Sequence, residues 1–189
     1  MTIDQVWSLN ATYKDQQHGV SFSYPATWMA TTQYAYHQPA LSQSEDVKPI
    51  AGFGYSEGGF PRDQIVGPYS PTTIEGFGIA YSAVPAESES KCNDKAASLA
   101  DKPSHRRVKI LGRGYSVYGT SSAGMSQGIS GDLYVTYVRP TCYLFEVNVA
   151  EVSIGVVDDL KQLTPKQTQE LTDHLLKLVK TIHIVPVDQ

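Results

Sequence analysis

The chain has 189 residues, of which 41% are hydrophobic and 18% are charged, enough for one domain that buries roughly 70% of its unfolded-chain surface. Its 12 Tyr and 2 Trp argue against disorder, and no run approaches the ~20 consecutive apolar residues of a membrane helix. With 15 Lys+Arg against 19 Asp+Glu, the net charge of -4 disfavours nucleic acid and anionic membranes as partners. We expect a single domain over residues 1–189.

The first predicted strands form a hairpin. Apolar residues alternate with serines from Val20 to Tyr24, the period of a strand with one buried face. Pro25 ends this strand. Residues 14–19 are polar and end in glycine, as expected for a connection to a strand over residues 11–13.

Extended segments follow. Residues 28–36 are rich in Thr and Tyr, which favours an extended piece. Residues 37–49 are polar with two prolines and predict a surface loop. Two glycine-rich apolar segments, 50–55 and 72–84, are separated by a loop of glycines and prolines, and alternation in the second segment predicts a strand.

The pattern then changes to a helical period. Cys92, Ala96 and Leu99 fall on one face while charged residues face outward, which predicts an amphipathic helix over about residues 87–101. Glycines punctuate the next segment, 107–131, as in a twisted antiparallel meander.

The last third contains the clearest patterns. Apolar residues alternate over 133–137 and again over 143–149, which predicts a hairpin of central strands. Thr164 and Pro165 are a helix N-cap and first helical position, and leucines recur after them at helical spacing. Residues 181–185 predict a short strand. Together these elements predict an α+β fold, a mostly antiparallel twisted sheet with packed helices.

Three local signatures resemble the PsbP-like fold group, which includes the extrinsic photosystem II protein PsbP and a Ran-binding nuclear-import factor. The opening Gly19-Val-Ser-Phe-Ser-Tyr-Pro25, followed by Trp28, is similar to the start of that group. The helix over 170–180 and the strand after it are similar to the group's last helix and strand. The middle helix with its cysteine and the strand over 141–146 resemble exported bacterial relatives. The resemblance implies the PsbP-like fold and a scaffolding or binding role, and it brings no catalytic residue.

One catalytic motif can be read in the chain. Gly54-Tyr-Ser-Glu-Gly58 matches the G-x-S-x-G motif, which in α/β-hydrolases places a nucleophilic serine on a strand-to-helix turn. The glycines and proline of residues 58–61 cannot begin the required helix. We interpret the segment as a glycine-rich turn, and a serine hydrolase using Ser56 is a remote alternative.

Other residue types that carry chemistry do not cluster in the sequence. Gly112-Arg-Gly114 lacks the Lys-Ser/Thr of a phosphate-binding loop. Asp158 and Asp159 are adjacent and diverge in direction, which suits a cap or turn. The histidines lack the i, i+4 spacing of a helical metal site; they are His18, His37, His105, His174 and His183. We assign no catalytic, cofactor-binding or metal-ligating residue.

The leading functional hypothesis is a non-enzymatic, exported binding or accessory protein whose partner is an unknown protein or small molecule. The alternative is a small-ligand carrier with a pocket between the sheet and the C-terminal helix. Tyrosines outnumber phenylalanines 12 to 5, and tyrosines could line such a pocket or binding face. Ordinary strand packing also uses aromatic residues.

The state of the two cysteines indicates the cellular compartment in which the protein acts. Cys92 lies on the apolar face of the middle helix and Cys142 begins a central strand, so we predict that they form a disulfide across the helix–sheet interface. Two buried free thiols in a cytoplasmic protein are the alternative. Residues 1–10 lack the features of a signal peptide. We therefore expect the mature form of a periplasmic or secreted protein, with a cytoplasmic location as the alternative.

Overall fold

The computed structural model describes six stretches of the chain, residues 2–30, 40–57, 67–102, 105–123, 127–152 and 160–186. The strands in these stretches are β1 (Ala11–Asp15), β2 (Val20–Tyr24), β3 (Met29–Ala30), β4 (Ala51–Ser56), β5 (Ile74–Pro85), β6 (Arg106–Ile110), β7 (Arg113–Ala123), β8 (Gln127–Val138), β9 (Thr141–Val152) and β10 (His183–Ile184). The helices are α1 (Ile3–Val6), α2 (Ala40–Gln43), α3 (Glu89–Ala97) and α4 (Pro165–Val179).

The strands form two antiparallel sheets. The order is β3-β4-β5-β9-β8-β7-β6 in the larger sheet and β1-β2-β10 in the smaller one. The predicted α+β class, with a mostly antiparallel sheet and packed helices, is confirmed. Strand β9 lies at the centre of the larger sheet, as predicted from its alternation. Strand β5 matches the predicted strand over 72–84 to within two residues, and the apolar segment 50–55 lies in β4 apart from its first residue.

Each face of the larger sheet has its own hydrophobic core. Along β9, Phe145 and Val147 point into the core shared with α1, α4 and the smaller sheet. Cys142 and Leu144 point into the core shared with α2 and α3. We call these sides the α4 face and the α3 face. Since successive side chains of a strand alternate between faces, β9 is buried on both sides, and its α3 face also includes the buried polar residues Glu146 and Asn148.

The first hairpin and the last helix follow the sequence prediction. Strands β1 and β2 pair along their whole length, and Gly19, with a φ of 65°, ends the turn between them. The side chain of Thr164 accepts a hydrogen bond from the Gln167 amide at 3.3 Å, and Pro165 begins α4. The leucines of this helix pack into the core of the α4 face.

Helix α3 is shorter than the predicted 87–101. Ser88 caps its start by accepting a hydrogen bond from the Lys91 amide at 3.2 Å. Beyond its end, the Asp101 amide donates to the Gly119 carbonyl at 3.0 Å, and the Asp101 carboxylate accepts from the Ser121 amide at 2.8 Å. These bonds to β7 draw the chain out of the helix before the predicted end.

The predicted surface loop over 37–49 is wrong in part, because its described residues contain α2. Leu41 and Val47 are buried in the core of the α3 face. The buried carboxylate of Glu146 accepts hydrogen bonds from the amides of Ala40 at 2.9 Å and Leu41 at 3.0 Å. A residue at the centre of the sheet therefore holds this segment in place. The polar sequence of residues 37–49 gives no sign of that contact.

Three further predictions are refined. Of the extended piece over 28–36, only the first three residues are described, and they include β3. The meander over 107–131 is formed by β6, β7 and the start of β8. The strand predicted over 181–185 is confined to β10, because Thr181 continues the last turn of α4 and its hydroxyl donates to the Leu178 carbonyl at 2.7 Å.

Gly131 of β8 lies where β9 approaches most closely. A Cβ atom at Gly131 would collide with the backbone carbonyl of Val147, whereas one at Gly119 would have no heavy atom within 4 Å. We expect Gly131→Ala to lower the free energy of unfolding by about 1–3 kcal/mol through overpacking. The matched control, Gly119→Ala, should leave it unchanged or slightly raised. Urea unfolding measures both, and equal effects would contradict the proposed close approach.

Candidate binding site

The β6–β7 hairpin forms an exposed corner of the larger sheet, with β6 as the terminal strand. Ile110 pairs with Arg113 across a two-residue turn, in which Leu111 has a φ of 49° and Gly112 a φ of 83°. Positive φ suits glycine, but it costs other L-residues on the order of 1–2 kcal/mol. The Leu111 side chain is also 62% exposed. The tip therefore presents an apolar side chain to solvent in a strained conformation, which packing does not explain.

A hollow of ≈ 480 Å³ separates the hairpin tip from β10, and we call it the β10 hollow. Its lining combines polar groups, including Arg113 and His183, with apolar side chains. The apolar residues are Ile110 and Leu111 of the hairpin and Ile182 and Ile184 at β10. The Arg113 guanidinium donates to the Ile184 carbonyl at 3.2 Å and so ties the hairpin to the smaller sheet. This hollow thus lies at the junction of the terminal strands of the two sheets.

A second hollow, of ≈ 300 Å³, lies between α3 and the sheet, and we call it the α3 hollow. It opens where β7 separates from β8, since their ladder ends at Ser116 and Val135. Beyond that pair, the Thr136 hydroxyl donates to the Gly114 carbonyl at 2.9 Å in place of a ladder bond. Tyr115 lines both hollows. Burial raises the pKa of Tyr115 to about 12, so its phenol keeps its proton.

Positive charge is concentrated in β6, its turn and the segment that precedes it in the sequence. Residues 102–113, which we call the basic hairpin, contain five of the 15 Lys and Arg and no acidic residue, which leaves ten against 19 Asp and Glu elsewhere. The five are Lys102, Arg106, Arg107, Lys109 and Arg113. Sequence reasoning missed this cluster because it used only the net charge of the whole chain. A charge count in a short window would have found it.

Two exposed ion pairs partly offset this charge. Arg106 lies 2.6 Å from Asp132, and Arg107 lies 3.1 Å from Glu89 beside the α3 hollow. Exposed pairs of this kind contribute only about 0–1 kcal/mol each. Lys109 has no ion pair among the described residues. Arg106 and Arg107 of β6 can therefore exchange these carboxylates for those of a binding partner with little loss of free energy.

The structure joins Cys92 of α3 to Cys142 of β9 in a disulfide, with a Cα–Cα distance of 5.3 Å. Both cysteines are buried, with exposed fractions of 1% and 0%. Cys92 also lines the α3 hollow. The bond fixes the helix that forms one wall of this hollow to the centre of the sheet.

Ser56, the serine of the hydrolase-like motif, is the last residue of β4 and pairs with Gly76 of β5. It lies in an antiparallel sheet, whereas the hydrolase motif needs a strand–turn–helix unit of a βαβ fold. Residues 58–61, where that helix would begin, lie outside the described residues. The antiparallel setting of Ser56 therefore differs from the setting of the serine in the hydrolase motif.

The histidines have separate local partners. His18 Nδ1 lies 2.7 Å from a carboxylate oxygen of Asp15. The ring of His174 stacks on Trp7 at 4.8 Å, and burial lowers its pKa. Among the described residues, no three or more His, Cys, Asp or Glu are grouped to hold a metal. The described histidines are His18, His105, His174 and His183, and the candidates outside the described residues are His37, Asp158 and Asp159.

The interface between the larger sheet and the C-terminal helix, where a pocket was predicted, is filled by side chains. Trp7 lies between Phe77, at a ring distance of 4.3 Å, and His174 of α4. Leu171 and Leu178 are buried beside them. These side chains pack at the predicted position of the pocket, whereas the two hollows described above lie at the β6–β7 corner. None of the described tyrosines is exposed, so most of the tyrosine excess serves packing.

Comparison with known proteins gives similarity in structure alone. No family model matches the chain, and no curated protein matches its sequence. LpqN, involved in cell envelope biogenesis of Mycobacterium tuberculosis, is 11% identical over 98% of both chains, with a TM-score of 0.47. The Ran-binding protein Mog1p of Saccharomyces cerevisiae is 8% identical over 93% of this chain and 95% of its own, with a TM-score of 0.42. A Bacteroides thetaiotaomicron protein is 13% identical over 94% of this chain, with a TM-score of 0.46.

This chain spans about half the length of the Bacteroides protein, 49%. A Ran-binding protein, the kind that the sequence resemblance names, is thus among the similar structures. Identities this low carry no information on role. No helix in the described stretches is long and apolar enough to cross a membrane.

Proposed function

We propose that this chain is a non-enzymatic binding protein that acts outside the cytoplasm and holds another protein at the β6–β7 corner. The observation that supports this most strongly is Leu111, an exposed apolar side chain in a strained conformation at the tip of the basic hairpin. Strained residues persist where the surrounding structure and a function require them. An exposed apolar anchor beside a hollow and a group of arginines is the usual composition of a protein-binding patch.

The compartment is supported by the disulfide. Cys92 and Cys142 are the only cysteines of the chain, and both take part in one buried bond. Such structural bonds persist in oxidising compartments and are rare in the cytoplasm. The proposed location is therefore the periplasm or the cell exterior.

A small-ligand carrier is the second candidate. The two hollows, of ≈ 300 and ≈ 480 Å³, lie in the size range of small-molecule sites. A carrier would retain its ligand during purification. Native mass spectrometry separates the two functions, because a stoichiometric added mass favours the carrier and a bare mass favours the protein-binding role.

Affinity capture from the envelope and culture-medium fractions of the source cells tests the proposal. We expect the unmodified protein to retain one partner protein in stoichiometric amount. Charge reversal at the corner, Arg107→Glu with Lys109→Glu, should lose it, because electrostatic complementarity guides such contacts. Lys166→Glu on the exposed side of α4 is the matched control and should retain it.

Two results would contradict this proposal. If the charge-reversed and control proteins capture the partner equally, the binding site lies elsewhere than at the corner. Turnover of ester, phosphate or peptide substrates that is lost in Ser56→Ala would make the chain a hydrolase instead. Thermal unfolding of each variant checks that lost capture does not reflect a lost fold.

A further inference from the structure

We propose that β6 accepts an extended segment of the partner protein as an additional strand of the larger sheet, and that this segment alternates acidic and apolar residues. The inference rests on the proposed function and names the class of partner. Strand addition to an exposed sheet edge is a general mode of peptide recognition, in which backbone bonds supply affinity and side chains supply selectivity.

The edge of β6 has backbone groups available for pairing. In an antiparallel hairpin with a two-residue turn, the residues next to the turn exchange hydrogen bonds, and the bonded pairs then recur at every second residue. Ile110, Val108 and Arg106 therefore bond to β7. The amides and carbonyls of Arg107 and Lys109 point away from β7. No other described strand pairs with β6 on that side.

The side chains of β6 specify what the added strand should carry. Arg107 and Lys109 pair with Ser116 and Gly114 and lie on the α3 face, whereas Val108 lies on the α4 face. Directly opposite residues on neighbouring strands share a face, and opposite charges there attract. The segment should therefore place acidic residues next to the two cations and apolar residues between them.

The β10 hollow provides a place for an apolar anchor. Ile110, the last residue of β6, is also part of the lining of this hollow. Leu111, which lines the hollow, is 62% exposed. An apolar side chain at the end of the added strand would enter the hollow beside Leu111. This contact accounts for a strained leucine at the turn.

Charge complementarity selects this partner over others. The basic hairpin carries five cations without an acidic residue, in a chain whose other residues are strongly acidic. A second copy of this chain would bring its own basic edge against β6 in an edge-to-edge pairing, which places like charges opposite each other. An acidic segment of a different protein is attracted to these cations instead. It needs only to displace Glu89 from Arg107, an exposed ion pair that contributes about 0–1 kcal/mol.

Charged edge strands have another known use, which is to prevent sheets from pairing with themselves. If the cations of β6 served only that purpose, their removal would promote self-association, and acidic peptides would not bind. The experiment therefore measures both properties.

The test uses the full chain and the synthetic peptide Glu-Val-Glu-Ile-Glu-Val-Thr, with fluorescence anisotropy as the readout. Control peptides replace every Glu by Lys, or the central Ile by Pro, which cannot complete the ladder of backbone bonds. Protein variants are Arg107→Glu with Lys109→Glu, and Lys166→Glu as the exposed control. Analytical ultracentrifugation of Lys109→Val reports self-association.

We expect the acidic peptide to bind the unmodified protein and the Lys166→Glu control equally, and the charge-reversed protein about tenfold or more weakly, a loss of about 1.4 kcal/mol. Binding should weaken as salt rises, and neither control peptide should bind. Isotope-edited infrared or NMR spectra should show the Arg107 and Lys109 amides as newly protected.

Two results would overturn the inference. Acidic peptide that does not bind, or binds the charge-reversed protein equally, excludes strand addition to β6. Self-association of Lys109→Val without peptide binding shows that the cations only protect the edge from self-pairing. In either case, affinity capture of a partner that is lost on charge reversal would leave the proposed function standing, with the partner docked at the corner in another way.

Discussion

Reducing the Cys92–Cys142 disulfide is expected to lower the free energy of unfolding by about 4 kcal/mol. The two cysteines are 50 residues apart, and closing a loop of that length removes much of the conformational entropy of the unfolded chain. Typical domains have a net stability of only about 5–15 kcal/mol. Denaturant unfolding with and without a reductant measures the difference.

The control for this prediction is the double variant Cys92→Ala, Cys142→Ala, whose stability should not respond to the reductant. Alkylation under denaturing, non-reducing conditions supplies an independent readout by intact mass. Two alkyl additions to the purified protein would show free thiols and would favour a cytoplasmic location. No addition, together with a lower midpoint after reduction, would support an oxidising compartment.

Replacing Glu146 with leucine is expected to lower the free energy of unfolding by about 3–5 kcal/mol. The Glu146 carboxylate is 1% exposed. It accepts hydrogen bonds from the amides of Ala40 and Leu41 and from the Thr120 hydroxyl at 3.0 Å. Leucine would leave these three donors buried without an acceptor. The matched control, Glu151→Leu, changes an exposed residue of the same strand and should cost much less.

The same carboxylate makes stability depend on pH. Burial is the largest influence on the pKa of Glu146 and raises it above its ordinary value of 4.5, although the three hydrogen bonds oppose the rise. The folded state then binds the proton more tightly than the unfolded state does. The contribution of Glu146 to stability is therefore greatest below pH 4.5 and declines as the pH rises through the folded-state pKa. Glu146→Gln should remove this decline, and an unchanged pH profile would contradict the assignment.

The sequence predicted the elements whose signals are local. Alternation alone identified the β8–β9 hairpin, because apolar residues recur at every second position of each strand and the connection is short. A capping residue and regular leucines identified α4. The disulfide pairing followed from placing Cys92 and Cys142 on surfaces that face each other.

The elements that sequence reasoning missed depend on distant contacts. Helix α2 is held by Glu146, which is more than one hundred residues away in the sequence. The sequence near residue 40 contains no pattern that predicts this contact. The β6–β7 turn was predicted only in general terms, as one of the turns or bulges at the glycines of the 107–131 meander. Its central Leu111 and Gly112 do not resemble the Asn-Gly or Gly-Gly pairs that usually signal positive φ at both positions. The basic hairpin was hidden because acidic residues elsewhere outweigh it in the total charge.

The position of β9 at the centre of the larger sheet has a consequence for how the molecule can respond to a ligand. Its neighbours β5 and β8 bond to it along nearly its whole length, and both of its faces are buried. Its amide hydrogens can exchange with solvent only when the whole fold opens, whereas those of a peripheral strand exchange through small local openings. Rigidity therefore falls from β9 outward to β6. A ligand that binds at β6 can therefore rearrange the outer strands of the larger sheet without disturbing β9, the central strand that carries Cys142 of the disulfide.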